Sequence, residues 1–163
     1  MASGKDNKLT GQIGEYLVTA ELGRRGIIAT PFSGNMPDFD IVAYAEQKTT
    51  HLQVKTIRKG DLQLNNIRKF LNIEVETEGQ KIKGKNINLD RKLIYVCVFL
   101  GEKIGEDEFF IFSQGWLQDH IYKTYLVRKP PLKIKSFHYA MRKNMMLKHK
   151  DNWKLIEKRL SIK

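Results

Sequence analysis

Four polar residues in the first third of the sequence have the types and the spacing that phosphodiester hydrolysis requires. Asp40 stands directly before an apolar pair, Gln53 and Lys55 stand two positions apart, and Glu15 lies further upstream. Such hydrolysis needs a hard cation held by oxygen ligands and a polarised water. It also needs a positive charge near the negative charge that develops on the phosphate in the transition state. Carboxylate and amide oxygens can supply the ligands, and a lysine can supply the positive charge.

A helix over residues 10–25 is predicted to carry Glu15, with Gly26 at its C-cap position. Its predicted apolar face, at helical spacing, consists of Ile13, Tyr16, Leu17 and Ala20. Glu15 falls at the margin of that face, so it can reach a cation only if the helix packs over the strands. The small residues Gly11 and Gly14 would let the helix backbone come close to a neighbouring strand.

A hairpin is predicted from two strands, over residues 39–44 and 51–56. Period-two alternation puts Asp38 and Asp40 on one face of the first strand. In the second strand it puts Gln53 and Lys55 on one face, whereas Val54 turns its side chain to the other face and offers its backbone carbonyl. An acidic face and an amide- and lysine-bearing face can therefore meet across the hairpin.

Taken in order, these elements resemble the PD-(D/E)XK nuclease superfamily, which includes restriction endonucleases and archaeal-type Holliday junction resolvases. The resemblance covers residues 9–57, about a third of the chain, and implies a restriction-endonuclease-like αβββαβ core. It implies that Asp40 is the central metal ligand, with Asp38 of the literal Pro37-Asp38 pair as the competing candidate. Lys55 would then be the catalytic lysine, and Glu15 the helical carboxylate of resolvase-like members.

Gln53 departs from this pattern, because the superfamily usually has Asp or Glu at that position. An amide oxygen can coordinate Mg²⁺ but brings no negative charge. The resemblance implies a metal-dependent endonuclease, with Mg²⁺, for which Mn²⁺ can substitute, held by Glu15, Asp40, Gln53 and the Val54 carbonyl. The departure leaves open a non-catalytic nucleic-acid-binding module with the same fold.

The basic charge of the chain is unevenly distributed. Acidic and basic residues balance over residues 1–122, so the whole net charge of +11 lies in residues 123–163. Such a region is a candidate footprint for a polyanion, although a solvated basic face would have the same composition. The candidate nucleic-acid contacts are Lys133, Lys135, Arg142, Lys143 and Lys148.

Ser33, in a predicted turn before the acidic strand, is a further candidate for a phosphate contact. Only the resemblance favours DNA over RNA, and a small basic interaction protein or defence-system subunit stays open.

The whole chain is predicted to be an α/β protein with a mixed sheet, in a single domain over residues 1–163. Its nuclease-like core would span residues 9–112 and a basic helical extension residues 113–163. The longest apolar run, residues 93–100, is too short to cross a bilayer and predicts a buried strand. The single cysteine, Cys97, and the lack of a signal-peptide pattern favour a cytoplasmic protein. A homodimer is compatible with the sequence, but no dimerisation face can be identified.

Overall fold

A computed structural model of the protein describes residues 4–32, 38–77, 79–126 and 136–162. Its helices and strands in chain order are α1 (Gly4–Arg24), β1 (Ile28–Pro31), β2 (Ile41–Ala45), β3 (Lys48–Ile57), β4 (Leu62–Leu64), β5 (Leu71–Glu76), β6 (Gly79–Lys85), β7 (Ile94–Phe99), β8 (Glu108–Ser113), α2 (Gln114–Leu126), β9 (Tyr139–Met141) and α3 (Lys154–Leu160). These elements form a five-stranded sheet with helices, so the predicted α/β class with a mixed sheet is confirmed. No helix in the described ranges is long and apolar enough to cross a membrane.

The chain divides into two compact units. The first consists of Met1–Leu62, Leu93–Phe112 and Arg142–Lys163, and the second of Gln63–Lys92 and Ser113–Met141. One boundary between the units falls between Phe112 and Ser113, where the predicted core ends, but each unit is assembled from separate stretches of chain. The single-domain prediction itself stays a prediction.

The five-stranded sheet of the first unit has the order β1-β2-β3-β7-β8. Strands β1 and β2, and β2 and β3, pair antiparallel, whereas β3 and β7 pair parallel. The hairpin of β2 and β3 is therefore the predicted one, although β2, with 5 residues, is shorter than predicted and β3, with 10 residues, is longer. Strand β7 is buried along nearly its whole length, as its continuous apolar sequence predicts for a parallel strand covered on both faces.

Helix α1 packs against the sheet with a different face from the predicted one. Ile13 and Tyr16 are 38% and 62% exposed, and Ala20 is exposed as well. The buried positions of this helix are Gly14, Val18 and Leu22. A Cβ atom at Gly14 would collide with the side chain of Thr56 in β3. The prediction of the buried face was wrong because Gly14 lets the helix backbone come close to the strand. A pattern of hydrophobic residues does not detect a buried position that is occupied by glycine.

The core of the first unit includes side chains from its C-terminal segment. Trp153, Ile156 and Leu160 are buried in one cluster with Val18 and Leu22 of α1 and with the apolar residues of the central strands. Ile156 and Leu160 belong to α3, and Trp153 stands directly before it. Residues 142–162, which the sequence analysis assigned to a basic extension, thus supply core side chains to the unit that contains the large sheet.

The second unit contains two small sheets, β4 with β9 and β5 with β6, together with α2. The αβββαβ order predicted a helix between β3 and β7. In the described part of that crossover, Ile67–Lys69 forms one short 3₁₀ segment instead, because three short strands occupy the connection. Strand β6 pairs antiparallel with β5, and the register shifts between Asn72 and Ile73. Ser113 caps helix α2, because its Oγ accepts a hydrogen bond from Trp116 N at 3.1 Å.

Candidate functional site

Asp40 is held at the start of β2 by residues of the neighbouring strand β3. The hairpin pairs Ile41 with Leu52, so Asp40 lies opposite Gln53, and Asp40 N donates to Leu52 O at 2.8 Å. The Gln53 side-chain Nε2 donates a hydrogen bond to Asp40 Oδ2, and Val54 N donates to the same oxygen at 2.7 Å. Within the described residues both hydrogen bonds thus fix one carboxylate oxygen, and Oδ1 is left for another partner.

Lys55 shares its sheet face with Gln53 and with residues of β7. The parallel register pairs Gln53 with Tyr95 and Lys55 with Cys97, so these four side chains lie on the same side of the sheet. Burial raises the pKa of the Cys97 thiol to about 12, and the nearby charge of Lys55 lowers that pKa only in part. Cys97 therefore stays a protonated, buried thiol beneath the lysine.

Tyr95 is a residue of this face that the sequence analysis did not identify. Its side chain is 3% exposed. Burial raises the pKa of Tyr95 far above its usual value, and the negative charges of Asp40 and Asp38 raise it further. Tyr95 accordingly places a neutral hydroxyl near the carboxylates. Its proximity follows from a parallel strand pairing between distant parts of the chain, and no local signal in the sequence reveals that pairing.

Glu15 lies within the electrostatic range of both Asp40 and Lys55. Burial and the negative charge of Asp40 raise the pKa of Glu15, and the positive charge of Lys55 lowers it. The helix is held against β3 close to this point, where Thr56 Oγ1 donates to Gly11 O at 3.5 Å and Gly14 lies against Thr56. These contacts between α1 and β3 thus hold Glu15 near the strand that carries Lys55.

The alternative aspartate, Asp38, is exposed, whereas Asp40 is the one held by the hydrogen bonds of Gln53 and Val54. The negative charge of Asp38 nevertheless contributes to raising the pKa of Tyr95. Ser33, the candidate phosphate contact, lies outside the described residues.

The candidate nucleic-acid contacts fall into three groups. Lys133 and Lys135 lie outside the described residues, and Arg142 and Lys148 are exposed. Lys143 pairs with the carboxylate of Glu108, which also accepts from Lys150 at 2.8 Å. Part of the basic charge of the C-terminal segment is therefore compensated within the first unit.

The oxygen donors at this site are two carboxylates and one amide. Over the described stretches of the chain, no group of three or more His, Cys, Asp or Glu side chains is arranged to hold a metal ion. Glu15 and Asp40 are two acidic residues, and the neighbouring Gln53 is an amide, so these three side chains do not form such a group. What the site offers chemically is a pair of mutually repelling carboxylates with a lysine beside them.

Comparison with known proteins gives a likeness in structure and none in sequence. No protein-family model matches the chain, and no curated protein matches it. The fold is similar to that of a bacterial homing endonuclease, I-Ssp6803I, with a TM-score of 0.54 and 15% sequence identity. The alignment covers 94% of this chain and 95% of that chain. The protein therefore has an endonuclease-like α/β fold over nearly its whole length.

Proposed function

We propose that the protein is a metal-dependent nuclease of the PD-(D/E)XK type, which hydrolyses phosphodiester bonds in DNA. The observation that carries this proposal is that Glu15 on α1 and Asp40 and Lys55 on the hairpin lie close enough to shift the pKa of Glu15. Gln53 and Val54 orient Asp40 at the same point. The fold of the homing endonuclease supports the reaction class, since its alignment spans the chain.

A hard divalent cation fits the donor set. The pKa of Glu15 is raised by burial and then by the charge of Asp40, so the two carboxylates repel each other and a cation between them would relieve that repulsion. Glu15, Asp40, the Gln53 amide oxygen and the Val54 carbonyl would hold the ion. When bound, Mg²⁺ neutralises these carboxylates and lowers the pKa of a coordinated water, and Mn²⁺ would substitute for it.

The side chains of this site divide the remaining tasks among them. Gln53 and Val54 N fix Oδ2 of Asp40, so the other oxygen of that carboxylate keeps one direction. Lys55 places its ammonium group where it can orient the attacking water and stabilise negative charge that develops on the phosphate. Tyr95 and Cys97 form a buried, uncharged floor beside Gln53 and Lys55, which keeps bulk water away from that face of the sheet.

The substrate is a polyanion, in agreement with the net charge of +11. The exposed Arg142 and Lys148, together with Lys133 and Lys135, would contact the phosphate backbone without reading bases. We favour DNA because the structurally similar protein is a homing endonuclease.

A second function, a non-catalytic nucleic-acid-binding module, is favoured by one specific observation. The Gln53 amide donates to Asp40 and brings no charge, so the site holds one negative charge fewer than a site with Glu at position 53. A protein that had lost its cation would still need Asp40 to be satisfied by hydrogen bonds, and Gln53 achieves this. The two functions differ in whether bound DNA is cut.

The experiment that separates them compares wild type with Lys55→Ala on supercoiled plasmid, with Mg²⁺ or Mn²⁺. A nuclease should nick the plasmid, and the substitution should reduce the rate by about 100-fold or more. Lys48→Ala is the matched control, because Lys48 lies at the other end of β3 and its ammonium bonds to Ser161. Binding without nicking by wild type would favour the binding module, and equal nicking by wild type and Lys55→Ala would refute the proposed site.

A further inference from the structure

Arg58 follows strand β3 directly and is exposed at its end. Its Nε donates a hydrogen bond to Thr10 Oγ1 on helix α1, at 2.9 Å. Within the described ranges, this hydroxyl is the hydrogen-bond partner of Arg58, and no carboxylate lies in ion-pair distance of its guanidinium. The charge of Arg58 is therefore held in place without being neutralised.

Other arginines of the same unit are arranged differently. Arg24 bonds to Glu21 at 2.8 Å, and Arg25 bonds to Glu157 at 3.3 Å. In both pairs a terminal guanidinium nitrogen contacts the carboxylate. Arg58 instead uses only Nε for its contact with Thr10, which leaves the N–H groups of both terminal nitrogens for a ligand.

A guanidinium oriented in this way matches the geometry of a phosphate. Its planar fork can donate two parallel hydrogen bonds to two oxygens, and its charge strengthens both. Because Thr10 already fixes the plane of the group, less side-chain entropy is lost when the phosphate binds. A neutral hydroxyl can orient the arginine in this way without cancelling its attraction for the anion.

The position of Arg58 relates it to the proposed site. It lies three residues beyond Lys55, directly after the end of β3, and three residues span at most about 10 Å along an extended chain. The partner Thr10 is on α1, one and a half turns before Glu15.

We propose that Arg58, oriented by Thr10, binds a backbone phosphate of the substrate close to the one that is cleaved. The inference rests on the proposed function, because it assigns a substrate contact next to that site. Arg58 takes no part in the chemical step; it fixes the position of the strand relative to Glu15 and Lys55. Neither the charge pattern nor the motif in the sequence indicates this residue, since the basic excess lies in residues 123–163.

The test measures binding of a short fluorescent DNA duplex by fluorescence anisotropy, without divalent cation, at several KCl concentrations. Loss of one phosphate contact should make the negative slope of log K, the binding constant, against log salt concentration shallower by about 0.9. It should also weaken binding about tenfold. We expect this for Arg58→Ala. Arg58→Lys should keep most of the slope while binding more weakly, because lysine retains the charge but lacks the planar fork. Thr10→Val should keep the slope with a few-fold loss of affinity.

Arg24→Ala is the matched control, because Arg24 is an exposed arginine near the other end of α1 that pairs with Glu21. It should leave the salt slope unchanged. In plasmid nicking, Arg58→Ala should raise KM and leave kcat close to the wild-type value. Equal slopes for Arg58→Ala, Arg24→Ala and wild type would overturn the inference while leaving a Lys55-dependent nuclease intact. A wild-type protein that binds no duplex would overturn both the inference and the proposed substrate.

Discussion

The Gln53 amide and the Asp40 carboxylate meet across the hairpin of β2 and β3, where Gln53 Nε2 donates a hydrogen bond to Asp40 Oδ2. This oxygen accepts a second hydrogen bond from Val54 N at 2.7 Å. A glutamate at position 53 could not donate this bond and would add a second negative charge beside Asp40. Gln53 therefore orients the aspartate at the cost of weaker attraction for a cation.

Gln53→Glu should raise the affinity of the site for Mg²⁺ and lower stability when no cation is present. The added carboxylate would attract the ion but would repel Asp40. Melting temperatures measured in EDTA and in Mg²⁺ should differ more for this variant than for wild type. Gln12→Glu, at an exposed position of α1, is the control and should change the two melting temperatures equally. A variant indistinguishable from this control would show that Gln53 does not face a cation.

Glu15→Gln should make the protein more stable at neutral pH and abolish most of its activity. The pKa of Glu15 is raised in the folded state, so the folded protein binds this proton more tightly and loses stability as pH rises above the ordinary pKa of 4.5. The substitution removes that loss. The free energies of unfolding of Glu15→Gln and wild type should be measured in EDTA, over an experimental range from about pH 4 to about pH 8. They should coincide at acid pH and diverge as the pH rises. A constant difference at every pH would contradict this account of Glu15.

Gly14→Ala should destabilise the protein, whereas Gly11→Ala should stabilise it. A Cβ at Gly14 would collide with Thr56, and overpacking of this kind costs about 1–3 kcal/mol. Gly11 has open space around it, so alanine there should gain about 0.5–1 kcal/mol in helix propensity. Urea denaturation measures both effects, and Thr56→Ala should rescue part of the Gly14→Ala loss. Two alanines with equal effects would mean that α1 does not lie against β3 at Gly14.

Ile156→Ala should destabilise the protein by about 2–5 kcal/mol, because this fully buried side chain of α3 packs in the core. Leu147, in the same C-terminal segment, is 57% exposed, and Leu147→Ala should change the stability by less than about 0.5 kcal/mol. Urea denaturation of the two variants distinguishes a segment that is part of the folded unit from a loosely attached basic tail. Similar small losses for both would support the tail.

The order of the central elements could be predicted because their signals are local. Alternating polar residues around Asp40 and Lys55 define two strands, and the apolar run of β7 defines a third. The face of α1 could not be predicted, since its apolar stripe at Ile13 and Tyr16 is exposed while Gly14 is buried. There the fold is set by how closely two backbones approach, and residue hydrophobicity does not describe that distance.

The candidate site residues could be named from the sequence for the same reason. Glu15, Asp40 and Lys55 stand in a recognisable order, and in the structure Glu15 lies within electrostatic range of the other two. Tyr95 was missed because its place beside Gln53 depends on the parallel pairing of β3 with β7, whose sequences are separated by the second unit. Arg58 was missed because its role depends on one hydrogen bond to a helix formed much earlier in the chain.

The location of a bound cation most directly tests the claim that Glu15, Asp40 and the Val54 carbonyl hold a metal ion. A crystal of the full chain soaked in Mn²⁺ should show an anomalous peak between the Asp40 carboxylate and the Val54 carbonyl, with ligand distances of about 2.1 Å. Glu15 should contact the same peak, and Asp40→Asn should remove it. A folded protein with saturating Mn²⁺ and no peak at this position, or with its peak at a distant site, would contradict the proposal.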